Sequence, residues 1–213
     1  MTSTPTPLSG RRAEAARNDA RILESARAVF LVDPEAPIAA VAAHAEVGIG
    51  ALYRRYGSKE ELLRRLCHDG LRRFIAIAED VLASDRAPWE AFTEFMRRVV
   101  DADTHAITVR LAGTFTTTDE LHQLAIRAGE RSGQLFARAK AVGAIRPDLE
   151  IHDLTYLFDQ LAAVQGGDAA RTGELRRRYL ALLLDGVHRT GGAPLPGPPA
   201  RAEELYARWT PRT

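Results

Sequence analysis

The chain has 213 residues, of which 46% are hydrophobic, and its formal net charge is +1. This length and composition support one large or two small globular domains, and the near-neutral charge means that nucleic-acid binding would need a local cationic surface. A single cysteine, Cys67, excludes an internal disulfide and a multi-cysteine zinc site. The chain has no run of 18 apolar residues and no signal-peptide core, which predicts a cytoplasmic protein without a membrane partner.

The N-terminal segment is predicted to be a disordered basic arm over residues 1–15. Residues 1–10 are rich in Thr, Pro and Ser and show no apolar period. Arg11 and Arg12 follow, where a flexible cationic arm can enter a minor groove, although a solubilising tail fits the same composition.

Helical periodicity begins near Ala16 and continues to Val32, with Ile22, Ala26 and Phe30 on one side. The prolines of residues 33–37 then predict a loop, because proline disfavours helical geometry in the residue before it.

Residues 38–62 have the pattern of two short helices joined by a tight turn. The apolar spacing i, i+3, i+4, i+7 occurs twice, at Ile38, Val41, Ala42 and Ala45 and again at Ile49, Leu52, Tyr53 and Tyr56. The other side of the second helix carries small residues and then Arg54 and Arg55. Small residues let a helix enter a groove deeply, and arginine reaches phosphates or guanine edges, so this face suits a DNA major groove.

A long helix is predicted to follow, over residues 59–83. Gly57 can end the preceding helix, and Ser58 to Glu61 has the form of a capping box. Lys59 at such a helix N-terminus attracts anions. Residues 48–73 contain seven Lys and Arg residues against three acids, a modest local cationic patch.

Residues 38–62 resemble the DNA-binding domain of the TetR family of transcriptional regulators. The matching positions are Ile38, Val41, Ala42, Ala45, Val47, Leu52, Tyr53, Tyr56, Lys59 and Leu62. Two positions depart from the family pattern: Glu46 replaces the turn glycine, and Pro37 replaces a Ser or Thr cap. With the flanking helices, the resemblance extends over residues 16–82.

The resemblance implies roles for individual residues of the second short helix. Tyr53, Arg55 and Lys59 match positions that contact the DNA backbone, although by spacing alone Tyr53 also fits a core ring. Ile49, Gly50, Ala51 and Arg54 match positions that approach base edges. Because Gly and Ala offer no side-chain hydrogen bonds, Arg54, thymine-methyl contacts and DNA shape are expected to carry more of the specificity.

The remainder of the chain is predicted to be helical as well. We expect a regulatory and dimerisation domain over residues 84–190, and a Pro/Gly-rich tail over 191–213 with a short helix at 202–209. Its predicted helices cover residues 89–103, 106–112, 119–142, 151–164 and 174–187. Pro88 is placed to begin the first of these helices and Gly143 to end the third. The fold class is therefore all-α, with an N-terminal three-helix helix-turn-helix domain and a C-terminal helical domain.

The resemblance implies a homodimer formed through the helices near 151–164 and 174–187, although these helices could also only complete a monomer core. It also implies a small-molecule effector bound within the C-terminal helices. Apolar walls are expected from Trp89, Phe92, Phe95, Met96, Phe115, Phe136 and Phe158, which are also plausible core residues. Polar groups available to orient a ligand are His105, His122, His152, Asp159 and Gln160.

Other classes of function find less support in the sequence. Asp101, Asp103 and His105 superficially resemble a metal cluster, but Asp103 would point away from the other two on a helix. The motifs H-E-x-x-H, G-x-S-x-G and G-x-x-x-x-G-K-[ST] are absent, and Cys67 lies mid-helix among leucines. We therefore expect no enzyme, no metal and no cofactor.

The hypothesis is a sequence-specific, ligand-responsive repressor that binds a palindromic operator as a homodimer. A DNA-binding dimer without an inducer shares every motif and remains an alternative. An all-α enzyme would need a convergent set of acid and base groups in one cavity, which the spacing does not supply. A protein-interaction module would leave Arg54, Arg55 and Lys59 without a role.

Overall fold

The computed structural model describes residues 10–111, 113–188 and 192–206. In these ranges every regular element is an α-helix, which confirms the predicted fold class. The helices are α1 Gly10–Val32, α2 Ile38–His44, α3 Ile49–Tyr56, α4 Lys59–Leu82, α5 Pro88–Asp101, α6 Thr104–Leu111, α7 Asp119–Ala141, α8 Asp153–Ala163, α9 Ala169–His188 and α10 Ala202–Tyr206.

Contacts divide the chain into two compact units, residues 1–66 and 67–213. The division falls within α4, so this helix contributes to both units. In the first unit, α1, α2, α3 and the first turns of α4 surround an apolar core that includes Phe30, Val41, Leu52 and Leu62. Each of these side chains is fully buried, which holds the two short helices in place.

The first helix begins at Gly10, earlier than the sequence indicated. The prediction of a disordered arm is therefore wrong for residues 10–15, and the backbone of Arg11 and Arg12 is helical. Residues 1–9 lie outside the described part of the chain. The run RRAEAAR contains three alanines, two arginines before them and a glutamate, all good helix formers, which accounts for the extension of the helix toward the N-terminus.

The turn between α2 and α3 is a Schellman-type cap. The amide of Glu46 donates to the carbonyl of Ala43 at 3.2 Å, and the amide of Val47 donates to the carbonyl of Ala42 at 3.0 Å. This geometry needs a left-handed residue after the helix, and Glu46 adopts it with φ of 53°. Glu46, which departs from the family pattern at this position, therefore adopts the left-handed conformation that the turn requires.

Only half of the predicted capping box forms at the start of α4. The Ser58 hydroxyl accepts from the amide of Glu61 at 3.1 Å, but the Ser58 amide donates to the carbonyl of Tyr56. The Glu61 carboxylate instead pairs with Arg64 at 3.3 Å. The serine cap is nevertheless present, and α4 ends within one residue of the predicted position.

In the second unit, α5, α7, α8 and α9 pack around a core rich in aromatic and branched residues. Its fully buried members include Phe92, Phe95, Val99 and Leu135. Phe95 meets Phe158 edge to face, with ring centroids 6.5 Å apart. Such edge contacts add to the stabilisation that burial provides.

Helix ends in the second unit follow local capping residues. Pro88 is the first residue of α5, and Gly143 follows α7 with φ of 72°, both as predicted. Helix α9 begins at Ala169, five residues before the predicted start at 174, because Asp168 caps it by accepting from the amide of Arg171 at 2.8 Å. For α10, the structure supports residues 202–206, and the rest of the predicted helix to Trp209 lies outside the described residues.

Over the described ranges, none of the helices combines the length and the apolar character needed to cross a lipid bilayer.

Replacing Glu46 by glycine is expected to stabilise the protein by about 0.5–1 kcal/mol. The left-handed conformation costs a residue with a side chain about 1–2 kcal/mol, from which the extra chain entropy of glycine, about 0.5–1 kcal/mol, must be subtracted. The matched control is Ala43→Gly at an exposed position of α2, which should destabilise by about 1 kcal/mol. Urea unfolding measures both changes, and equal destabilisation by the two variants would contradict strain at Glu46.

Candidate nucleic-acid interface and ligand cavity

Helix α3 has a buried face and an exposed face. Leu52 and Tyr56 are buried, at 0% and 8% exposure, and hold α3 against the first unit. Ile49 and Tyr53 are 45% and 46% exposed, and Arg54 is also exposed. The exposure of Tyr53 removes the alternative of a core ring, and it leaves a large hydroxyl-bearing side chain on the surface.

The start of α3 carries no side-chain cap. Gly48 occupies the N-cap position, and Ile49 and Gly50 follow in the first turn. The first amides of a helix have no partner within the helix, so they attract an anionic group placed before them. The guanidinium of Arg54 lies beside Gly50, 3.5 Å from the position that a Cβ would occupy there. The surface at this end of α3 thus has small side chains and a positive charge.

Asp19 of α1 joins the last turn of α3 through two contacts. It accepts from Arg55 Nε at 2.9 Å and from the Tyr56 hydroxyl at 2.6 Å. The hydrogen bond from Arg55 holds the pKa of Asp19 below its ordinary value, and burial is the main cause of a raised pKa at Tyr56. Both shifts favour an ionised Asp19 next to a neutral Tyr56.

This contact adds an anchoring role for Arg55 to the DNA-backbone contact that the family resemblance implies. The Arg55 side chain is 61% exposed, so its guanidinium can face a phosphate while Asp19 orients it. Sequence reasoning missed Asp19 because it lies 36 residues from Arg55 and belongs to no local motif. Only the packing of α1 against α3 brings the two together.

Lys59 is held by an aromatic ring rather than by an acid in the described part of the first unit. Its ammonium lies 5.5 Å from the centre of the Phe30 ring. The neighbouring acids of the same helix turn toward Arg64, with Glu60 at 2.6 Å. A cation over a ring keeps its charge, so Lys59 remains suited to a phosphate contact.

The second unit contains a cavity of about 470 Å³. Among the predicted ligand-binding residues, His105, His122, His152 and Phe158 line it, whereas Asp159 and Gln160 do not. The remaining walls come from α4, α7, α8 and α10 and from the turn before α8, through Phe74, Ala125, Ile126, Gly129, Ser132, Gly133, Ile151, Leu154, Thr155, Ala202 and Leu205.

Most of the aromatic residues predicted as pocket walls do not line this cavity. Phe92, Phe95, Met96 and Phe136 are buried in the helical core, and Trp89 packs on its edge. The indole of Trp89 stacks on the ring of His188, with centroids 4.3 Å apart. Phe115 is buried as well and lies outside the cavity lining. The helical period marks these side chains as inward-facing but does not distinguish a core from a cavity wall.

The carboxylates and imidazole that resembled a metal cluster face different partners. Asp101 bonds to Arg177 at 2.8 Å, Asp103 bonds to the buried Arg176 at 2.7 Å, and His105 contacts Asp159 at 3.0 Å. Across the described residues, no group of three or more potential ligands is placed to hold a metal ion. Burial raises the pKa of the Cys67 thiol to about 12, so it is a poor nucleophile at neutral pH.

Two family models match this chain. Residues 22–66 match the N-terminal domain of bacterial regulatory proteins of the tetR family, and residues 87–189 match the C-terminal domain of SbtR-like transcriptional regulators. The chain belongs to the TetR family of transcriptional regulators. As in that family, it is a DNA-binding regulator whose helix-turn-helix consists of α2 and α3.

Solved structures of TetR regulators have a similar fold. A TetR regulatory protein from Mycobacterium vanbaalenii is 27% identical, with a TM-score of 0.53, 84% of this chain covered and 99% of that one. PfmR from Thermus thermophilus is 21% identical, with a TM-score of 0.58 and coverage of 79% and 100%. The ketosteroid regulator KstR2 of Mycobacterium tuberculosis is 20% identical, with a TM-score of 0.59 and coverage of 86% and 97%. No curated protein sequence matches the chain.

Replacing Asp19 by asparagine is expected to lower the stability of this TetR protein at neutral pH and to reduce its acid sensitivity. The pKa of Asp19 in the folded state is depressed, so its contribution is present above the ordinary value of 3.8 and is lost as pH falls through the lower, folded value. Urea unfolding between pH 7 and strong acid measures this dependence.

Tyr56→Phe is the control for that experiment, because it keeps the pair between Asp19 and Arg55. It should retain most of the acid dependence that Asp19→Asn loses. Identical pH profiles for wild type and Asp19→Asn would show that the carboxylate contributes nothing through its charge.

Proposed function

We propose that this regulator represses transcription by binding a palindromic operator as a homodimer, and that a small molecule in the cavity releases it from DNA. The observation that carries the DNA-binding part is the exposed face of α3, where Ile49, Tyr53 and Arg54 project while Leu52 and Tyr56 anchor the helix. The uncapped, positively polarised start of α3 supports the same orientation toward an anionic groove.

The contacts on that face divide into two kinds. Tyr53, Arg55 and Lys59 contact phosphates, which set the register of the helix without selecting a sequence. Ile49, Gly50, Ala51 and Arg54 approach base edges, where Arg54 supplies the hydrogen bonds and the apolar residues meet thymine methyl groups. Arg11 and Arg12 also contribute to DNA affinity in this proposal, and their backbone belongs to the first turn of α1.

Homodimer formation is supported by apolar side chains exposed along α9. Tyr179 is 44% exposed and Leu182 is 60% exposed, three residues apart on the helix predicted to form the interface. Helix α8 packs beside α9, as expected if the two helices contribute to one interface. Exposed apolar residues on one face of a helix are typical of an interface that a second copy covers.

The ligand response is supported by the cavity. Its volume lies within the range of about 300–1,000 Å³ that small-molecule sites occupy. A ligand that prefers the DNA-released geometry shifts the population of conformations, and a coupling of about 1–3 kcal/mol weakens DNA binding about 5–150-fold. KstR2 is described as a ketosteroid transcriptional regulator, and the present chain shares only the fold with it.

Tyr53→Phe and Arg54→Ala are expected to affect DNA binding differently. Loss of the Tyr53 hydroxyl removes a phosphate contact and weakens binding to all duplexes by a similar factor. Loss of Arg54 removes base readout and costs about 1–3 kcal/mol on the specific site, with little effect on a scrambled duplex. Fluorescence anisotropy with duplex DNA from upstream of the gene, at several salt concentrations, measures both.

The control is Arg86→Ala, which removes an exposed cation from the second unit. It should leave both affinities unchanged. If the wild-type protein bound upstream and scrambled DNA equally well, sequence-specific regulation would be excluded, and a missing salt dependence would exclude phosphate binding.

Leu182→Arg is expected to convert the dimer to a monomer. Each buried leucine contributes about 1.5–3 kcal/mol, and a two-fold interface contains it twice, so the dissociation constant should rise about 100-fold or more. Val142→Arg is a matched control, since Val142 is 61% exposed but lies at the end of α7. Sedimentation equilibrium measures the dissociation constant, and a dimer that survives Leu182→Arg unchanged would place the interface elsewhere.

A further inference from the structure

The C-terminal segment, residues 192–206, forms part of the cavity wall. Ala202 and Leu205 of α10 line the cavity together with residues of α7 and α8. The family model for the C-terminal domain ends at residue 189, so this wall lies beyond the part of the chain that the family model describes. The cavity of this protein is thus completed by a segment that the family match does not cover.

Three hydrogen bonds hold the C-terminal segment in position. Arg146 Nη2 donates to the carbonyl of Ala193 at 2.9 Å. The amide of Leu195 donates to Asp148 Oδ2 at 2.7 Å, and the amide of Ala200 donates to Asp153 Oδ1 at 3.1 Å. The bonds lie at intervals along the segment, so its backbone is guided from the end of α9 toward the cavity.

The side chains that hold the segment are themselves oriented. Arg146 and Asp148 form a bidentate ion pair, in which Nε donates to Oδ1 and Nη2 donates to Oδ2 at 2.9 Å. This pairing, with the Leu195 amide, holds the pKa of Asp148 well below its ordinary value. The Asp148 carboxylate is therefore ionised at neutral and mildly acidic pH, where it accepts the hydrogen bond from the Leu195 amide.

The cavity lining determines the charge of a suitable ligand. Among the described residues that line it, none is Lys, Arg, Asp or Glu. The polar groups are three histidines and two hydroxyls, from His105, His122, His152, Ser132 and Thr155. The cavity is open to solvent at His122, Ala125 and Ile126, which are exposed. A charged molecule would give up part of its hydration there without a permanent counter-charge from the described lining, whereas an uncharged molecule with one or two oxygen atoms finds hydrogen-bond partners.

Two of those polar groups are already engaged. Ser132 donates to the carbonyls of Ala128 and Gly129 at 3.0 and 3.1 Å, so toward the cavity its oxygen is left to accept. His105 directs Nε2 to Asp159 at 3.0 Å. These contacts hold Ser132 and His105 at fixed positions within a mainly apolar surface, so that their polar atoms can orient a ligand by hydrogen bonding.

Gly129 and Gly133 keep the wall of α7 open. They lie four residues apart on one helix face, and a Cβ added to either would meet no other atom within 4 Å. Glycine within a helix costs about 1 kcal/mol relative to alanine. Their lack of side chains enlarges the space between α7 and the C-terminal segment.

We propose that the cavity binds an uncharged, mainly apolar small molecule and that residues 192–206 close the cavity over it, so that α10 is part of the binding site. The inference rests on the proposed ligand response and names its ligand class and the segment that retains the ligand.

Two dyes that share one aromatic frame test the ligand class. N-phenyl-1-naphthylamine is uncharged, and 8-anilinonaphthalene-1-sulfonate is the same frame with a sulfonate. Fluorescence titration of the full-length protein should show binding of the uncharged dye, about tenfold or more tighter than the anionic dye. Equal or tighter binding of the sulfonate would overturn the assignment of an uncharged ligand.

Leu205→Asp tests the contribution of α10 by placing a carboxylate on the wall. It should weaken binding of the uncharged dye about tenfold or more. The matched control is Val142→Asp, which places a new carboxylate at a 61% exposed position at the end of α7, outside the cavity lining. That variant should bind the dye within about twofold of wild type, and equal affinities of Leu205→Asp and wild type would overturn the role of α10.

Gly133→Leu locates the dye without touching the C-terminal segment. The new side chain occupies the cavity and should abolish dye binding, while the melting temperature stays the same or rises because glycine is lost from a helix. Ala137→Leu, at an exposed position one turn further along α7, should change neither. Normal dye binding by Gly133→Leu would show that the dye sits elsewhere, and would overturn the site.

DNA anisotropy on the same preparations separates this inference from the proposed function. If the dye binds as expected but does not release DNA, the ligand response fails while the site stands. If DNA is released by the uncharged dye in both Leu205→Asp and wild type at equal concentrations, the response stands and the role of α10 is overturned.

Discussion

A helix of eight residues is not stable by itself in water, so the orientation of α3 depends on its packing against the rest of the first unit. Leu52 and Tyr56 provide that packing, and the Asp19 carboxylate receives both the Tyr56 hydroxyl and the Arg55 guanidinium. A hydrogen bond between a carboxylate and a half-buried hydroxyl is charge-assisted and stronger than a neutral one. The same acid therefore anchors the inner face of α3 and orients a cation on its outer face.

The turn that leads into α3 places a second demand on the chain. The Schellman cap of α2 needs a left-handed residue, which glutamate adopts at a cost that glycine would avoid. The cap also satisfies two carbonyls at the end of a seven-residue helix and directs Val47 back toward it. A seven-residue helix with no side-chain cap at its start gains from this closure at its end, because helices this short are not stable by themselves.

In the C-terminal unit, similar residues serve two different purposes. Phe92, Phe95 and Phe136 fill the core, whereas Phe158 reaches both the core and the cavity. The space between α7 and α8 remains open because α7 carries glycines at two successive turns. The C-terminal segment that borders this space is attached through Ala193, Leu195 and Ala200 to Arg146, Asp148 and Asp153. A stable packed core on one side of α8 thus supports an unfilled region on the other.

Local signals in the sequence were enough to predict the all-α class, the position of the helix-turn-helix and most helix boundaries, because apolar period, proline and glycine act over a few residues. They also marked Glu46 as the unusual turn residue and Leu52 and Tyr56 as buried. The predicted starts of α1 and α9 were wrong by several residues, since the helix propensity of residues 10–15 and the cap at Asp168 are weaker signals than the apolar period.

The partner of Arg55 could be identified only from the folded chain, because Asp19 is far from it in sequence and only the packing of α1 on α3 pairs them. The folded chain was also needed to distinguish core residues from residues that line the cavity. Phe92 and Phe95 of α5 are buried in the core, whereas His122 of α7 lines the cavity at an exposed position. Helical period does not distinguish side chains that pack against other residues from side chains that line a cavity. That distinction depends on the distances between whole helices, which are set by every residue of the core together.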